Sequence, residues 1–167
     1  MSPTQINLQV PWELQGQSSV EIKVAVGYTL FSNSNVVTVP VSNYSPAFFQ
    51  YSGNVIAQDS NYKLIGPTNP VQRGAGAVLY VNGLGPVTNQ PASGDPAPSS
   101  PLAETTTMPV VMIGGQQASV SFSGLTPTVA GLYQINVTIP SNLTAGPQAI
   151  TVSIGGQTSG ASSIVVK

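Results

Sequence analysis

A ten-residue phrase occurs twice in this chain, and its placement limits the folds open to it. Near the start stands Gln5-Ile6-Asn7-Leu8-Gln9-Val10-Pro11-Trp12-Glu13-Leu14, and near the end Gln134-Ile135-Asn136-Val137-Thr138-Ile139-Pro140-Ser141-Asn142-Leu143. Five of the ten positions are identical, and Leu8/Val137 and Val10/Ile139 are conservative exchanges. Within each copy apolar and polar residues alternate up to a proline. That period of two puts alternate side chains on opposite faces of a half-buried strand. An internal echo of this kind points to repeated structural units.

The echo extends beyond the phrase. Val24-Ala25-Val26-Gly27 aligns with Val152-Ser153-Ile154-Gly155, and Val36-Val37-Thr38-Val39 with Ser163-Ile164-Val165-Val166. Residues 5–41 therefore match residues 134–166 as strand, loop, strand, glycine turn, strand. A full run of strands, 48–122, precedes the second copy, whereas almost nothing precedes the first. The expectation is a half unit over 1–43, the C-terminal half of a repeat, followed by a complete unit over 44–167. Three strands with one apolar face do not hide that face alone. The half unit is expected either to pack on the complete one or to exchange strands with another chain.

Along the chain the same alternation recurs in short runs. In 20–26 Val20, Ile22, Val24 and Val26 point inward, with Glu21 and Lys23 outward. Val36–Val41 is a third strand, in which Pro40 marks an edge or a bulge. A linker over 42–47 leads to a short strand at Phe48–Tyr51. Val55-Ile56-Ala57 and Tyr62–Ile65 flank a turn at Asp59-Ser60-Asn61. Gly66–Gly76 is loop, and Ala77–Val81 is a strand ending at Asn82-Gly83. Gly114-Gly115 and Gly155-Gly156 each join two strands as hairpins. Residues 86–109 hold six prolines. This irregular stretch is expected to wrap over the surface of one domain. No window shows a helical period, and fifteen prolines and seventeen glycines punctuate the sequence. The fold class is all-β, with a β-sandwich favoured.

Composition restricts function more than it assigns it. Hydrophobic residues make up 41% of the 167, enough for a core. Charged residues are only 5%, against ~25% in ordinary globular domains. The four cations, Lys23, Lys63, Arg73 and Lys167, are scattered, so no basic stripe exists for a phosphate backbone. Cysteine and histidine are absent. The chain therefore has no disulfide framework, no thiol chemistry and no imidazole base or ligand. No apolar run reaches the ~18 residues of a membrane span. Met1-Ser2-Pro3 leads straight into a strand pattern, without a signal peptide. Richness in Ser, Thr, Asn, Gln, Gly and Pro with little charge suits an extracellular or cell-surface β module of a bacterium.

Certain phrases carry a resemblance. They are Ser2-Pro3-Thr4-Gln5-Ile6-Asn7 with Val10-Pro11-Trp12-Glu13-Leu14; Asn82-Gly83-Leu84-Gly85-Pro86-Val87; Ile113-Gly114-Gly115; and Gly131-Leu132-Tyr133-Gln134-Ile135-Asn136-Val137 with Pro140. Together these resemble an uncharacterised C-terminal domain family of large secreted proteins of Acidobacteria such as Solibacter. Its modules look like tandem immunoglobulin-like (IPT/TIG-type) β-sandwiches. The resemblance implies an immunoglobulin-like fold and an extracellular setting among neighbouring domains of a larger parent protein. It supplies no catalytic residues. The family's pattern has further strands before the Ser-Pro-Thr-Gln phrase, in line with a half unit here.

No constellation argues for chemistry. Glu13, Glu21, Asp59, Asp95 and Glu104 lie in separate segments, without the paired carboxylates of a glycosidase or the dense acids of a calcium loop. Serine and threonine have no base to activate them. Lys23 reads as a solvated partner of Glu21, and an isopeptide crosslink would need a buried lysine. The glycine pairs are flanked by strands and not by a helix, so they are turns and not phosphate loops. Triplets of the Asn-X-Ser/Thr type at Asn43, Asn136 and Asn142 matter only in a glycosylating host. Aromatics in or beside loops are the one hint of binding: Trp12, Tyr28, Phe31 and Tyr62 are the candidate contacts, with Tyr44 nearby. Their other reading is as plugs for the ends of a sandwich.

The expectation is a non-enzymatic structural or adhesion module of an exported bacterial protein, with no cofactor or metal, no nucleic-acid partner and no membrane insertion. Two alternatives stand beside it. One is a carbohydrate-binding module for a polysaccharide. The other is a self-assembling subunit that uses residues 1–43 for strand exchange with a second copy of itself.

Overall fold

A computed structural model describes residues 4–26 and 32–167. The protein is all-β, and its strands fall into an N-terminal arm and a body.

The arm is a hairpin. Strand β1 (Ser19–Ile22) and β2 (Ala25–Val26) run outward, and β3 (Ser32–Asn33) and β4 (Val37–Pro40) return. Antiparallel pairing sets Val20 opposite Val39 and Ile22 opposite Val37 in β1–β4. In β2–β3 it sets Val26 opposite Ser32. Between the two pairings, two residues of the outgoing strand face three of the returning one. This is a bulge, held by Val24 N–H donating to Ser34 Oγ at 3.0 Å and Ser34 N–H to the Val24 carbonyl at 2.9 Å.

The body is one large sheet curled almost into a barrel. Its strands are β5 (Ala47–Phe48), β6 (Gln50–Tyr51), β7 (Asn54–Val55), β8 (Ala57–Asp59), β9 (Gly76–Asn82), β10 (Val110–Ile113), β11 (Gln116–Leu125), β12 (Tyr133–Thr138), β13 (Gly146–Ile154), β14 (Gln157–Thr158) and β15 (Ser162–Val166). Neighbours run β5-β9-β12-β11-β10-β13-β15-β7-β6, with β8 beside β9 and β14 beside β13. Strand β11 turns the corner. Its start pairs with β10 and its remainder with β12, with a register shift between Val120 and Phe122. At the far ends of this path lie β5 and β6, separated only by Phe49. Phe49 N–H donates to the Tyr80 carbonyl, and Ile56 N–H to the Phe49 carbonyl, so the chain steps from one end of the path to the other and nearly closes it.

Alternation built the core. Ala77, Leu79 and Val81 of β9, Ile135 and Val137 of β12, Val111 and Ile113 of β10, Ile150, Val152 and Ile154 of β13, and Ile164 and Val166 of β15 are all buried. Each large aliphatic side chain removed from water stabilises the fold by about 1.5–3 kcal/mol. The hairpin turns at Gly114-Gly115 and Gly155-Gly156 form with both glycines at positive φ. The turn after β8 is organised by Asp59, whose Oδ1 accepts the N–H groups of Asn61 and Lys63. The proline-rich stretch lies along the body. Val87, Ala97 and Ala103 are buried, and isolated bridges join Val87 to Thr105 and Glu104 to Gly124.

Two expectations are overturned in the arm. Residues 6–10 carry no strand, and Ile6, Leu8 and Val10 are 59%, 62% and 58% exposed. Their echo, β12, is a strand because β9 and β11 flank it on both sides. No strand of the described residues pairs with 6–10, so their alternation has no ladder to join. Likewise Val20, Ile22, Val24 and Val26 do not point into a core. Val20 is half-buried, and the other three remain exposed. The segment expected as a linker is pinned instead of free. Ser45 N–H donates to the Gly83 carbonyl at 2.9 Å, and Tyr44 Oη pairs with Thr107 Oγ1 at 3.1 Å.

Candidate functional site: the cleft beneath the arm

Where the arm meets the body it leaves a cleft of about 940 Å³. Leu8, Val10, Leu14, Val20, Ile22 and Val39 form the arm's wall. Phe49, Pro86, Gly131 and Tyr133 form the wall on the body. Glu21 and Lys23 also line this wall, so it is not purely aliphatic. Val20 and Ile22 on β1 share a face with their cross-strand partners Val39 and Val37.

Polar contacts tie the base of the arm to the body and to the linker. Trp12 N–H donates to Ser93 Oγ at 2.9 Å, and the Ser93 hydroxyl donates to Glu13 Oε2 at 2.6 Å. That hydroxyl holds the Glu13 carboxyl below its ordinary pKa. Gly94 N–H donates to Gln9 Oε1 at 3.1 Å, and Gly16 N–H to Asn43 Oδ1 at 3.2 Å. The Gln9 stem lies against Gly131, close enough that a Cβ there would be 3.0 Å from its Cγ. These hydrogen bonds lie at the surface, and all but the one to the Glu13 carboxylate are neutral, so each contributes only modest net stability.

Of the candidate aromatics, Trp12 lines the cleft and Tyr62 does not. Trp12 follows Pro11 in a single 3-10 turn, Trp12–Leu14, and packs half-buried against the core. Its indole N–H is shielded from solvent and has no acceptor. It sits at the joint of arm and body, packed against the core and also lining the cleft. Tyr62 is 80% exposed at the tip of the Asp59 turn, with φ at +60°, and does not line the cleft. Tyr44 seals the linker against the glycines at 85 and 155. Tyr28 and Phe31 lie outside the described residues.

The ionisable groups form no reactive cluster. Asp59 is spent on its turn: a hydrogen bond from Asn69 Nδ2, then the Lys63 N–H, keep its carboxyl below the ordinary value. Lys23 and Lys63 are both exposed. Among the described residues no three His, Cys, Asp or Glu side chains gather to hold a metal ion. Tyr133, on the floor of the cleft, donates its hydroxyl to the Gly85 carbonyl, and burial pushes its pKa up from 10.0 to about 12.

No pattern among the residues foretold Ser93, Gly94, Gln9 and Asn43, the polar latch of the arm. They sit in a proline-rich loop, a failed strand and a linker, and only the docking of the arm makes them neighbours. What the site offers is a cleft with aliphatic side chains on its arm wall, interleaved with Gln9, Gln15, Gln17, Glu21 and Lys23. Among the described residues, eight of the large hydrophobic residues left exposed lie between Ile6 and Val37, while the body from Phe49 onward leaves seven. Comparison with protein-family models, with curated proteins and with solved structures returns no match.

Proposed function

We propose that the chain is a non-enzymatic structural module of an exported bacterial protein: an immunoglobulin-like β-sandwich over 44–167 that carries residues 1–43 as a docking arm. The strand order supports the immunoglobulin-like reading. Along β5-β9-β12-β11 it follows the A-B-E-D order of such sandwiches, and β10-β13-β15 follows C-F-G. Strand β7, running parallel to β15, closes the edge. In this reading residues 5–41 are the second half of a like unit, kin to the family of secreted modules that the sequence resembles.

The observation that carries the proposal is the partition of apolar residues. Among the described residues, every buried hydrophobic core residue lies between Phe48 and Val166, and the arm leaves eight aliphatic residues exposed and others, such as Leu14, Val20 and Val39, half-buried. A large exposed apolar patch marks an interaction surface. A chain with no His and no Cys, whose five acids serve turns and surface, has little else to work with.

Residues 44–167, produced without the arm, are expected to unfold cooperatively at the midpoint of the whole chain. Failure of that fragment to fold would sink the proposal. Binding of a polysaccharide that disappears in Trp12→Ala would transfer the chain to the carbohydrate-binding reading, and turnover by the purified chain would make it an enzyme.

A further inference from the structure

We infer that the outer edge of β1 and β2 is a strand-acceptor site, where an antiparallel strand of the β10 type, supplied by the first half of a like unit, adds to the arm. The inference rests on the structural-module reading and names the strand that its docking arm takes.

The arm reproduces the pairing of β13, β14 and β15. Ser19 pairs with Pro40, Val20 with Val39 and Ile22 with Val37, as Pro147 pairs with Val165, Gln148 with Ile164 and Ile150 with Ser162. Farther out Ala25 pairs with Asn33 and Val26 with Ser32, as Ser153 pairs with Thr158 and Ile154 with Gln157. Between these pairings each hairpin sets two outgoing residues against three returning ones. A serine holds both bulges. Ser34 Oγ accepts the Val24 N–H, its own N–H donates to the Val24 carbonyl, and its hydroxyl donates to the Asn35 carbonyl at 2.7 Å. Ser159 repeats all three bonds, with the Val152 N–H at 3.1 Å, the Val152 carbonyl at 2.9 Å and the Gly160 carbonyl at 3.0 Å. The structure thus sets residues 38–41 against 163–166, two positions beyond the sequence echo.

Hairpins this alike differ in their neighbours. In the body, β10 lies antiparallel along the outer edge of β13, with Val110 opposite Ser153, Val111 opposite Val152, Met112 opposite Thr151 and Ile113 opposite Ile150. The equivalent arm positions are Ala25, Val24, Lys23 and Ile22, and no described strand lies on their outer side. Val24, like Val152, turns its N–H and carbonyl to the serine of the bulge. Alternation along the strand therefore aims the N–H and carbonyl groups of Lys23 and Ala25 at the outer edge. An extended segment adds there through its main chain. The opposite edge is blunted. Pro40 stands where the Val165 carbonyl accepts the Val71 N–H, and a proline on that edge has no N–H to give.

The twin also gives the chemistry of the occupant. Val111 and Ile113 of β10 are buried opposite Val152 and Ile150. Ile22 and Val24 hold the places of Ile150 and Val152 and remain exposed. The incoming strand therefore carries aliphatic side chains at the two alternate positions opposite them. A second copy of this chain has no such strand to spare, because its β10 is already flanked by β11 and β13. A first half equivalent to 48–122, without a second half of its own, has one.

The test joins a second copy of residues 44–133 ahead of Gln5 of the full chain and follows amide hydrogen exchange by NMR. The first Gln-Ile-Asn then follows the same strands as the second. Exchange at Lys23 and Ala25 is expected to slow by about tenfold or more, towards the rates of Thr151 and Ser153. Ala25→Pro in the lengthened chain removes one outward N–H and is expected to restore fast exchange at Lys23. In the unextended chain the same substitution should leave the exchange of the body unchanged. Equal rates at Lys23 and Ala25 with and without the added copy would overturn the inference, whether or not the copy folds, since this edge is what captures it. Protection of Lys23 that survives Ala25→Pro would overturn it too. So would slow exchange at both residues in the unextended chain, and slowing that grows with concentration would make a second copy the occupant. The module reading stands apart from these results, because it falls only if residues 44–167 cannot fold without the arm.

Discussion

Gln5-Ile6-Asn7 and Gln134-Ile135-Asn136 are the same three residues in two environments. Ile135 is fully buried on β12, between β9 and β11. Ile6 is 59% exposed, in a segment where residues 6–10 form no strand. The hairpins that follow differ in the same way. β13 and β15 pair with each other and also with β10 and β7, and they bury Ile150, Val152, Ile154 and Ile164. Among the described strands the hairpin of β1–β4 pairs only with itself, and it leaves Ile22, Val24 and Val26 in water. Alternation thus makes a segment competent to be a strand, and flanking strands make it one. A two-stranded hairpin with one apolar face is marginal on its own, so the arm depends on whatever covers it.

The contrast is sharpest at the echoed isoleucines. Ile135→Ala is expected to cost about 2–5 kcal/mol, from lost transfer energy and an unfilled cavity. Ile6→Ala should stay within ~0.5 kcal/mol, as for an exposed site. Urea denaturation measures both, and comparable losses would end the distinction between arm and body.

Next in size is the alkaline limb, which belongs to the body alone. Tyr133 has a folded pKa of about 12 against an ordinary 10.0. Above pH 10 the unfolded chain loses this proton while the folded chain keeps it. The contribution of Tyr133 is therefore complete below pH 10 and declines as pH rises towards 12, by about 2–3 kcal/mol in all. Stability measured across that range should fall, and Tyr133→Phe should flatten the fall. An unchanged slope in the variant would assign the limb to other groups.

The joint between the two regions can be probed at Gly155. Its φ is +56°, and a Cβ there would overlap the Tyr44 ring that seals the linker. Gly155→Ala is expected to destabilise by about 1–3 kcal/mol. An accompanying loss of protection from hydrogen exchange at Tyr44 would tie the cost to the linker. Wild-type stability would show that Tyr44 is free to leave.

Smallest is the acid limb at Asp59. Its carboxyl sits below the usual range because Asn69, and then the Lys63 backbone, donate to it. That stability is present above the unfolded carboxylate's pKa and is lost as pH falls through the folded value. Asp59→Asn should lower the midpoint slightly near neutral pH and make it less sensitive to acid. A midpoint that is unchanged at both pH values would remove Asp59 from the account of the turn.

Much of the body was legible in the residues. The alternation of Ala77–Val81, Val110–Ile113 and Ala149–Ile154, the glycine pairs and the Asp59 turn each specify local geometry with local chemistry. Other features had no such signal. Strand β11 changes neighbours in mid-course, and β5 and β6 separate across a single residue, because each follows from how the sheet curls. Trp12 read as a candidate contact, and only the docking of the arm packs it against the core while leaving it in the lining of the cleft. The latch from Gln9, Trp12 and Glu13 to Ser93 and Gly94 joins residues about eighty positions apart that no pattern connects.

The residues alone settle the all-β class, the turns, and the absence of imidazole and thiol chemistry, since these follow from backbone preference, side-chain period and composition. Tertiary structure decides which alternating segments become strands and which apolar faces find cover. A strand needs hydrogen-bonding neighbours and an apolar face needs an opposing surface, and both are supplied by distant parts of the chain. Ile135 has them, whereas Ile6, in the same local sequence, does not.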